Sequence, residues 1–170
     1  MLAAGAATRF GAPKQRLLLP RVLERLAETP VDEVVVVAGA YQLDATGVRV
    51  VACPDWERGP GASLRCGLDA LGPDAAVAVV VLADGPNLAS AAVERVLGAW
   101  RTGAGDLVAA SYGGVRGHPL LVGRPLWDTV PDEGLRALEP ALVPCDDLGT
   151  PGDVDAADDI GRVNPPLTEH

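Results

Sequence analysis

The chain has 170 residues, 48% of them apolar but only 4% aromatic, and a formal net charge of −9. That length gives one domain with a proper core, the composition makes the core mostly Ala, Val and Leu, and the acidic balance excludes the basic face that sequence-independent nucleic-acid binding needs. A small anionic ligand is not excluded, because a local cluster of Arg and Lys can hold a phosphate on an acidic protein. No run approaches the roughly 18 apolar residues of a membrane span, and the N-terminus has no basic stretch leading a long apolar one. The expectation is a soluble, cytoplasmic protein that engages neither nucleic acid nor membrane.

In chain order, apolar runs alternate with helical patterns, as in βαβ units. The segments Val34 to Ala38 and Val48 to Ala52 read as buried strands. Val77 to Leu82 is the strongest strand signal, with four valines among six apolar residues. Leu107 to Ala110 and Leu120 to Val122 are further strands. Between them, Val22, Leu23 and Leu26 share a helix face after Pro20, and Leu64, Leu68 and Leu71 form an i, i+4, i+7 stripe with Ser63 as the predicted N-cap. Ser90 is the predicted cap of a third helix carrying Val93, Val96, Leu97 and Trp100. Connections of this length between strands are right-handed crossovers. The prediction is a three-layer, Rossmann-like α/β domain over residues 1–163, with a mostly parallel central sheet, helices on both faces and a tail at 164–170. Ligands of such sheets bind at the carboxyl ends of the strands.

Cys53, Cys66 and Cys145 form no C-x-x-C pair, and an odd number without metal-like spacing argues against a disulfide scaffold or a zinc site. They read as reduced, small hydrophobic residues. With only His118 and His170 in the chain, a site built of several histidines is excluded.

At the first strand end stands Leu2-Ala3-Ala4-Gly5-Ala6-Ala7-Thr8-Arg9-Phe10-Gly11-Ala12-Pro13-Lys14. Small residues let backbone N–H groups approach an anion, Arg9 offers a planar fork for two phosphate oxygens, and Lys14 offers a point charge. The stretch matches neither G-x-x-x-x-G-K-[ST] nor G-x-G-x-x-G, and read alone it is equally an ordinary βα turn. After the strongest strand comes Leu82-Ala83-Asp84-Gly85-Pro86. Asp84 there is either a turn residue bonding its own backbone or a carboxylate for Mg²⁺, which takes one or two carboxylates plus phosphate oxygens. The stretch Gly61-Ala62-Ser63-Leu64-Arg65 is no hydrolase nucleophile elbow, because Arg65 stands where that turn needs Gly.

The L-A-A-G-x-x-x-R-x-G-x-P-K stretch resembles the signature of nucleotidyltransferases with the glycosyltransferase-A-like fold, and within them the molybdenum-cofactor cytidylyltransferases. Cys53-Pro54-Asp55-Trp56 through Ser63-Leu64-Arg65-Cys66-Gly67-Leu68, the turn Gly113-Gly114-Val115-Arg116-Gly117-His118-Pro119, Asp132-Glu133-Gly134-Leu135-Arg136, and Asp153-Val154-Asp155-Ala156-Ala157-Asp158-Asp159-Ile160 resemble further elements of the same family, in the same order. The resemblance implies that Leu2, Ala3, Ala4, Gly5, Pro54 and Ser63 line the nucleotide, and that Arg9 and Lys14 hold its β and γ phosphates. It implies that Asp84 and Asp155 bind Mg²⁺, with Asp84 catalytic alongside Arg9 and Lys14, and that His118 and Arg136 meet the acceptor. The expected reaction is transfer of CMP from CTP to a molybdopterin-type acceptor with release of pyrophosphate, and a molybdoenzyme or its chaperone would receive the product. Ala4 points to CTP, since guanylyl-transferring relatives tend to have L-A-G-G there. GTP as donor, a sugar phosphate as acceptor, and a non-catalytic nucleotide-binding or docking module are the alternatives.

Overall fold

The computed structural model describes residues 1–5 and 14–151. Arg9 and Asp155 lie outside the described residues, as does the side chain of Lys14. The elements run β1 (Leu2–Ala3), α1 (Lys14–Ala27), β2 (Val35–Ala38), β3 (Arg49–Ala52), α2 (Pro60–Asp69), β4 (Val77–Val80), α3 (Ser90–Arg101), β5 (Leu107–Tyr112), β6 (Val115–Gly123) and β7 (Ala141–Pro144).

Strands β1, β2 and β3 pair in parallel in the order β1-β2-β3, and the remaining strands lie in the order β4-β6-β5-β7. The two groups join at Leu2, which bridges Leu82 in parallel, donates from its amide to the Val81 carbonyl at 2.9 Å and accepts from Ala83 N–H at 3.0 Å. The joined sheet therefore reads β3-β2-β1-β4-β6-β5-β7. Among the described strands only β6 runs antiparallel, to both β4 and β5, while β7 pairs parallel with β5. The mostly parallel sheet expected from the continuous Val-rich runs is present, with this one reversed strand.

Alternation along the strands sorts the core into two faces. Val108, Ala110 and Leu121 pack with Val22 and Leu26 of α1 and Ala92, Val93, Val96 and Leu97 of α3. Leu107, Ala109, Leu120 and Val122 face the other way, onto Leu64 and Leu68 of α2 and onto Trp127, Val130 and Leu135. Helices thus cover both faces, as buried parallel strands require.

Three local expectations are corrected. Helix α1 begins at Lys14, six residues before Pro20, and runs through that proline. Leu18, Leu19, Val22 and Leu26 lie buried along it, and burying that stripe offsets the one backbone bond that proline cannot donate. Helix α2 begins at Pro60 with Gly59 as its N-cap, so Ser63 is a buried residue inside the helix and not its cap. Helix α3 is capped by Ala89, and Ser90 is its first residue.

The cysteine expectation is also overturned for one pair. Cys53, just after β3, and Cys66, in α2, are joined by a disulfide with their Cα atoms 5.8 Å apart. Their 13-residue separation hid this proximity, because the crossover from β3 into α2 folds straight back over the strand end. Cys145 is free and buried, as expected.

Candidate active site

The parallel strands end on one edge of the sheet, and β6, being antiparallel, begins there. Residues from five strands meet at that edge. On one flank, the Ala4 carbonyl following β1 accepts from the Ala40 N–H following β2 at 3.2 Å, and the Cys53 N–H following β3 donates to the Ala38 carbonyl at 2.7 Å. A Cβ on Gly39 would lie 2.7 Å from the Ala4 carbonyl oxygen and 2.7 Å from Trp56 Cγ, so glycine is what lets these three loops close on one another. The predicted nucleotide residues Leu2, Ala3, Ala4 and Gly5 stand here. Leu2 and Ala3 are the β1 ladder, and Gly5 is exposed with its carbonyl accepting from Gln15 Nε2 at 2.9 Å. Gln15, buried at the start of α1, is a support for this loop that no sequence signal identified. Pro54 is exposed in the loop after β3.

The disulfide ties that loop to α2, whose own start is held from a third direction. Asp132 accepts from Arg58 Nε and Nη2 at 3.2 and 2.9 Å through one oxygen and from Arg65 through the other, while Arg65 Nη1 donates to the Val130 carbonyl at 2.5 Å. The Gly61 N–H donates to the Asp132 carbonyl at 2.9 Å. The two arginines hold the Asp132 carboxyl below its ordinary range, Arg65 foremost.

On the other flank, Asp84 follows β4 in the turn Ala83-Asp84-Gly85, whose Gly85 N–H donates to the Leu82 carbonyl at 3.2 Å. Past the Val80–Leu120 pair of β4 and β6, Leu82 and His118 come to the same edge. A cavity of about 430 Å³ opens there, walled by Val81, Leu82, Leu88, Tyr112, Arg116 and His118 and closed by Thr150 and Pro151. The Tyr112 hydroxyl donates to the His118 carbonyl at 2.9 Å, and burial pushes its phenol up to about 12. Burial and then the Arg116 guanidinium push the His118 imidazole down to about 4, against the opposing pull of Asp84. His118 is therefore a neutral imidazole near the Asp84 carboxylate. The closing segment is brought in by β7, by Arg95 of α3 donating to the Pro144 carbonyl at 3.1 Å and to both Asp147 oxygens at 2.7 Å, and by the Asn87 N–H donating to the Pro151 carbonyl at 2.9 Å.

The structure thus brings Asp84 and His118 together at the expected edge, beside the start of the Ala4-Gly5 loop. Arg136 is exposed, does not line the cavity and makes no ion pair among the described residues. Arg116, which carried no separate sequence signal, does line it. No cluster of three His, Cys, Asp or Glu side chains able to hold a metal occurs among the described residues, and none of the described helices is long and apolar enough to cross a membrane.

Several solved structures share this architecture. The homologue of Mycobacterium tuberculosis Rv0371c from Mycobacterium sp. strain JC1 superposes with a TM-score of 0.78 at 26% identity, covering 96% of this chain and 92% of its own. Rv0371c from M. tuberculosis H37Rv in complex with manganese gives 0.71 at 25% identity, covering 95% and 94%. Molybdopterin-guanine dinucleotide biosynthesis protein A from Archaeoglobus fulgidus shares the fold alone, with a TM-score of 0.69 at 16% identity over 95% and 94% of the chains. No protein of curated function matches the chain. The MobA-like NTP transferase domain matches residues 1–140, which span β1 to the residue before β7 and so include the Ala4-Gly5 loop, the Asp84 turn and the His118 strand. The chain belongs to the MobA-like NTP transferase family, and it is a nucleotidyltransferase.

Proposed function

We propose that the protein is a Mg²⁺-dependent cytidylyltransferase that moves CMP from CTP to the phosphate of a molybdopterin-type acceptor. The observation that carries this reading is the pairing of Leu2 with Val81, Leu82 and Ala83. Because β1 and the end of β4 are neighbours, the loop that starts at Ala4 and the turn that holds Asp84 leave the sheet side by side. A triphosphate cradled by the first would have its α-phosphorus near the second.

In the proposed reaction an acceptor phosphate oxygen attacks the α-phosphorus of CTP, and the bond to the bridging α–β oxygen breaks. Pyrophosphate leaves with its charge drawn by Arg9 and Lys14. No covalent enzyme intermediate is required, since positioning and electrostatics carry such transfers. The carboxylate of Asp84, in the turn after β4, is the oxygen donor that a hard cation arriving with nucleotide phosphates takes. Asp84 and Asp155 would hold that Mg²⁺, which when bound neutralises charge on the α-phosphate. Manganese in the Rv0371c complex supports a divalent ion in this fold. Ala4 supports CTP as the donor.

The test is thermal stabilisation by CTP, GTP, ATP and UTP with and without Mg²⁺, followed by pyrophosphate release on adding acceptor. A nucleotide at about 100 times its Kd stabilises by roughly 2.7 kcal/mol. CTP alone should do so and only with Mg²⁺. Asp84→Ala should lower kcat by about 100- to 1,000-fold, the scale of a lost transition-state electrostatic contact. Near-normal turnover in Asp84→Ala would remove Asp84 from the chemistry. A shift with GTP alone would move the assignment to a guanylyltransferase, and no shift with any nucleotide would favour a non-catalytic module.

A further inference from the structure

We propose that Arg116 grips the phosphate of the acceptor, and that the cavity beside it seats a flat heterocycle carrying that phosphate. The proposal rests on the nucleotidyltransferase reading above and assigns a contact of the same site, in place of the exposed Arg136.

Position comes first. Arg116 and His118, both of β6, line the same cavity, whose wall also includes Gly85 of the Asp84-Gly85 turn. An anion held by Arg116 therefore lies beside the carboxylate turn where phosphoryl chemistry is expected.

The hydrogen bonds of the guanidinium are unevenly used. Nη1 donates to the carbonyls of Leu135 and Leu138 at 3.1 and 2.8 Å, which fixes the plane of the group. Nε and Nη2 have no acceptor among the described residues. A guanidinium has five N–H donors, and a fork of parallel N–H groups matches two oxygens of one phosphate.

Charge is unbalanced in the same place. Two other arginines of this edge, Arg58 and Arg65, meet the carboxylate of Asp132. Arg116 meets only backbone carbonyls among the described residues, and burial weighs against its charge. A cation partly withdrawn from water without a counter-ion is disfavoured relative to one paired with an anion, which an arriving phosphate would supply.

The cavity supplies the rest of the ligand's description. About 430 Å³ accommodates a bicyclic ring system, and Val81, Leu82, Leu88 and the ring of Tyr112 give it an apolar and partly aromatic lining. The His118 imidazole adds a hydrogen-bonding group to the same wall.

The experiment uses the full chain with 6-hydroxymethylpterin monophosphate as the acceptor probe and the unphosphorylated pterin as control. Thermal shifts and pyrophosphate release at saturating Mg·CTP are read for wild type, Arg116→Met and Arg116→Lys. Wild type should be stabilised by the phosphorylated pterin and not by the control. Arg116→Met should raise the acceptor KM, or weaken the probe's thermal shift, by about 10- to 100-fold, the scale of a lost charge-assisted pair of hydrogen bonds, with the CTP response within twofold of wild type. Arg116→Lys should recover part of the loss, because it keeps the charge and not the fork. If the Met variant does not fold, the Lys variant alone should still show a selective loss toward the probe. The proposal is overturned if wild type is not stabilised by the probe, if the acceptor response survives Arg116→Met unchanged, or if CTP and acceptor responses fall together, as they would for a residue that only anchors Leu135 and Leu138. Should wild type release no pyrophosphate with any nucleotide, the functional reading fails, while the probe's thermal shift and its loss in the variants still decide the role of Arg116.

Discussion

His118 is the residue whose surroundings speak most directly about pH. Its imidazole is held neutral to about 4 by burial and by Arg116, against an ordinary value of 6.5. Below 6.5 the unfolded chain takes up a proton that the folded chain refuses, so stability falls as pH drops from 6.5 toward 4 and is fully present above that window. The interval corresponds to roughly 3 kcal/mol. Replacing His118 by Gln removes the titration and keeps a polar side chain in its place. Thermal unfolding of His118→Gln followed from pH 8 to pH 4 should therefore give a flatter acid limb than wild type, and parallel limbs for the two proteins would contradict the buried neutral imidazole. His118 was legible as a candidate because it is the one histidine within the domain and stands in a G-x-x-G-H-P-like turn. Arg116 was not, because nothing in a single arginine before that turn says that it will line a cavity. The same holds for Gln15, whose role depends on burial beneath the Ala4-Gly5 loop.

Among the elements, α2 shows how far periodicity reaches. The stripe Leu64, Leu68 and the partner helices' stripes were readable because a helix buries one face at a fixed spacing. Its start was misread by several residues. Ser63 followed by an apolar stripe is good capping chemistry, yet the helix begins at Pro60, where a fixed φ is preorganised for the first turn. The usual side-chain cap is replaced by tertiary docking: the Gly61 N–H bonds the Asp132 carbonyl, and Arg58 and Arg65 grip the Asp132 side chain. That docking is tight enough to specify glycine. A Cβ on Gly61 would lie 1.7 Å from the Pro131 carbonyl oxygen, a backbone atom that cannot swing away. Gly61→Ala should force the 131–134 segment off the helix and destabilise the protein by more than about 3 kcal/mol, in the range of the severe overpacking substitutions. Gly67→Ala is the matched control, because its nearest neighbour is the Val37 side chain at 2.9 Å, which can shift. Urea unfolding that gave both variants equal midpoints would contradict the docking. The reversed strand β6 escaped the sequence for a similar reason, since a short Leu-Leu-Val run has no direction until its partners are known.

At the scale of the molecule the two halves of the sheet meet, among the described residues, at β1 alone, and the loops gathered on that edge need fixing from outside the ladder. The Cys53–Cys66 bond supplies one such tie, between the exit of β3 and the helix over the sheet. Counting cysteines pointed the other way, because an odd count and a 13-residue separation carry no pairing information until the crossover is folded. A loop of that size, cross-linked, restricts the unfolded chain by about 3 kcal/mol in the chain-entropy account. For a chain of this length each kcal/mol moves Tm by roughly 2–4 °C, so the bond is worth on the order of 6–12 °C. Thermal unfolding of wild type with and without dithiothreitol, set beside a Cys53→Ala/Cys66→Ala variant, measures this directly. Wild type should lose stability in dithiothreitol, the double variant should match the reduced protein, and dithiothreitol should leave the double variant unchanged, because Cys145 is buried and already free. A wild type indifferent to the reductant, with three thiols titratable in denaturant, would mean that the loop and helix are held by packing and by Asp132 alone. Since the same loop carries Trp56 beside Gly39, the CTP-induced shift measured in both redox states then separates two roles for the bond. An equal shift makes it a staple of the folded chain, and a smaller shift after reduction makes it also a support of the nucleotide edge.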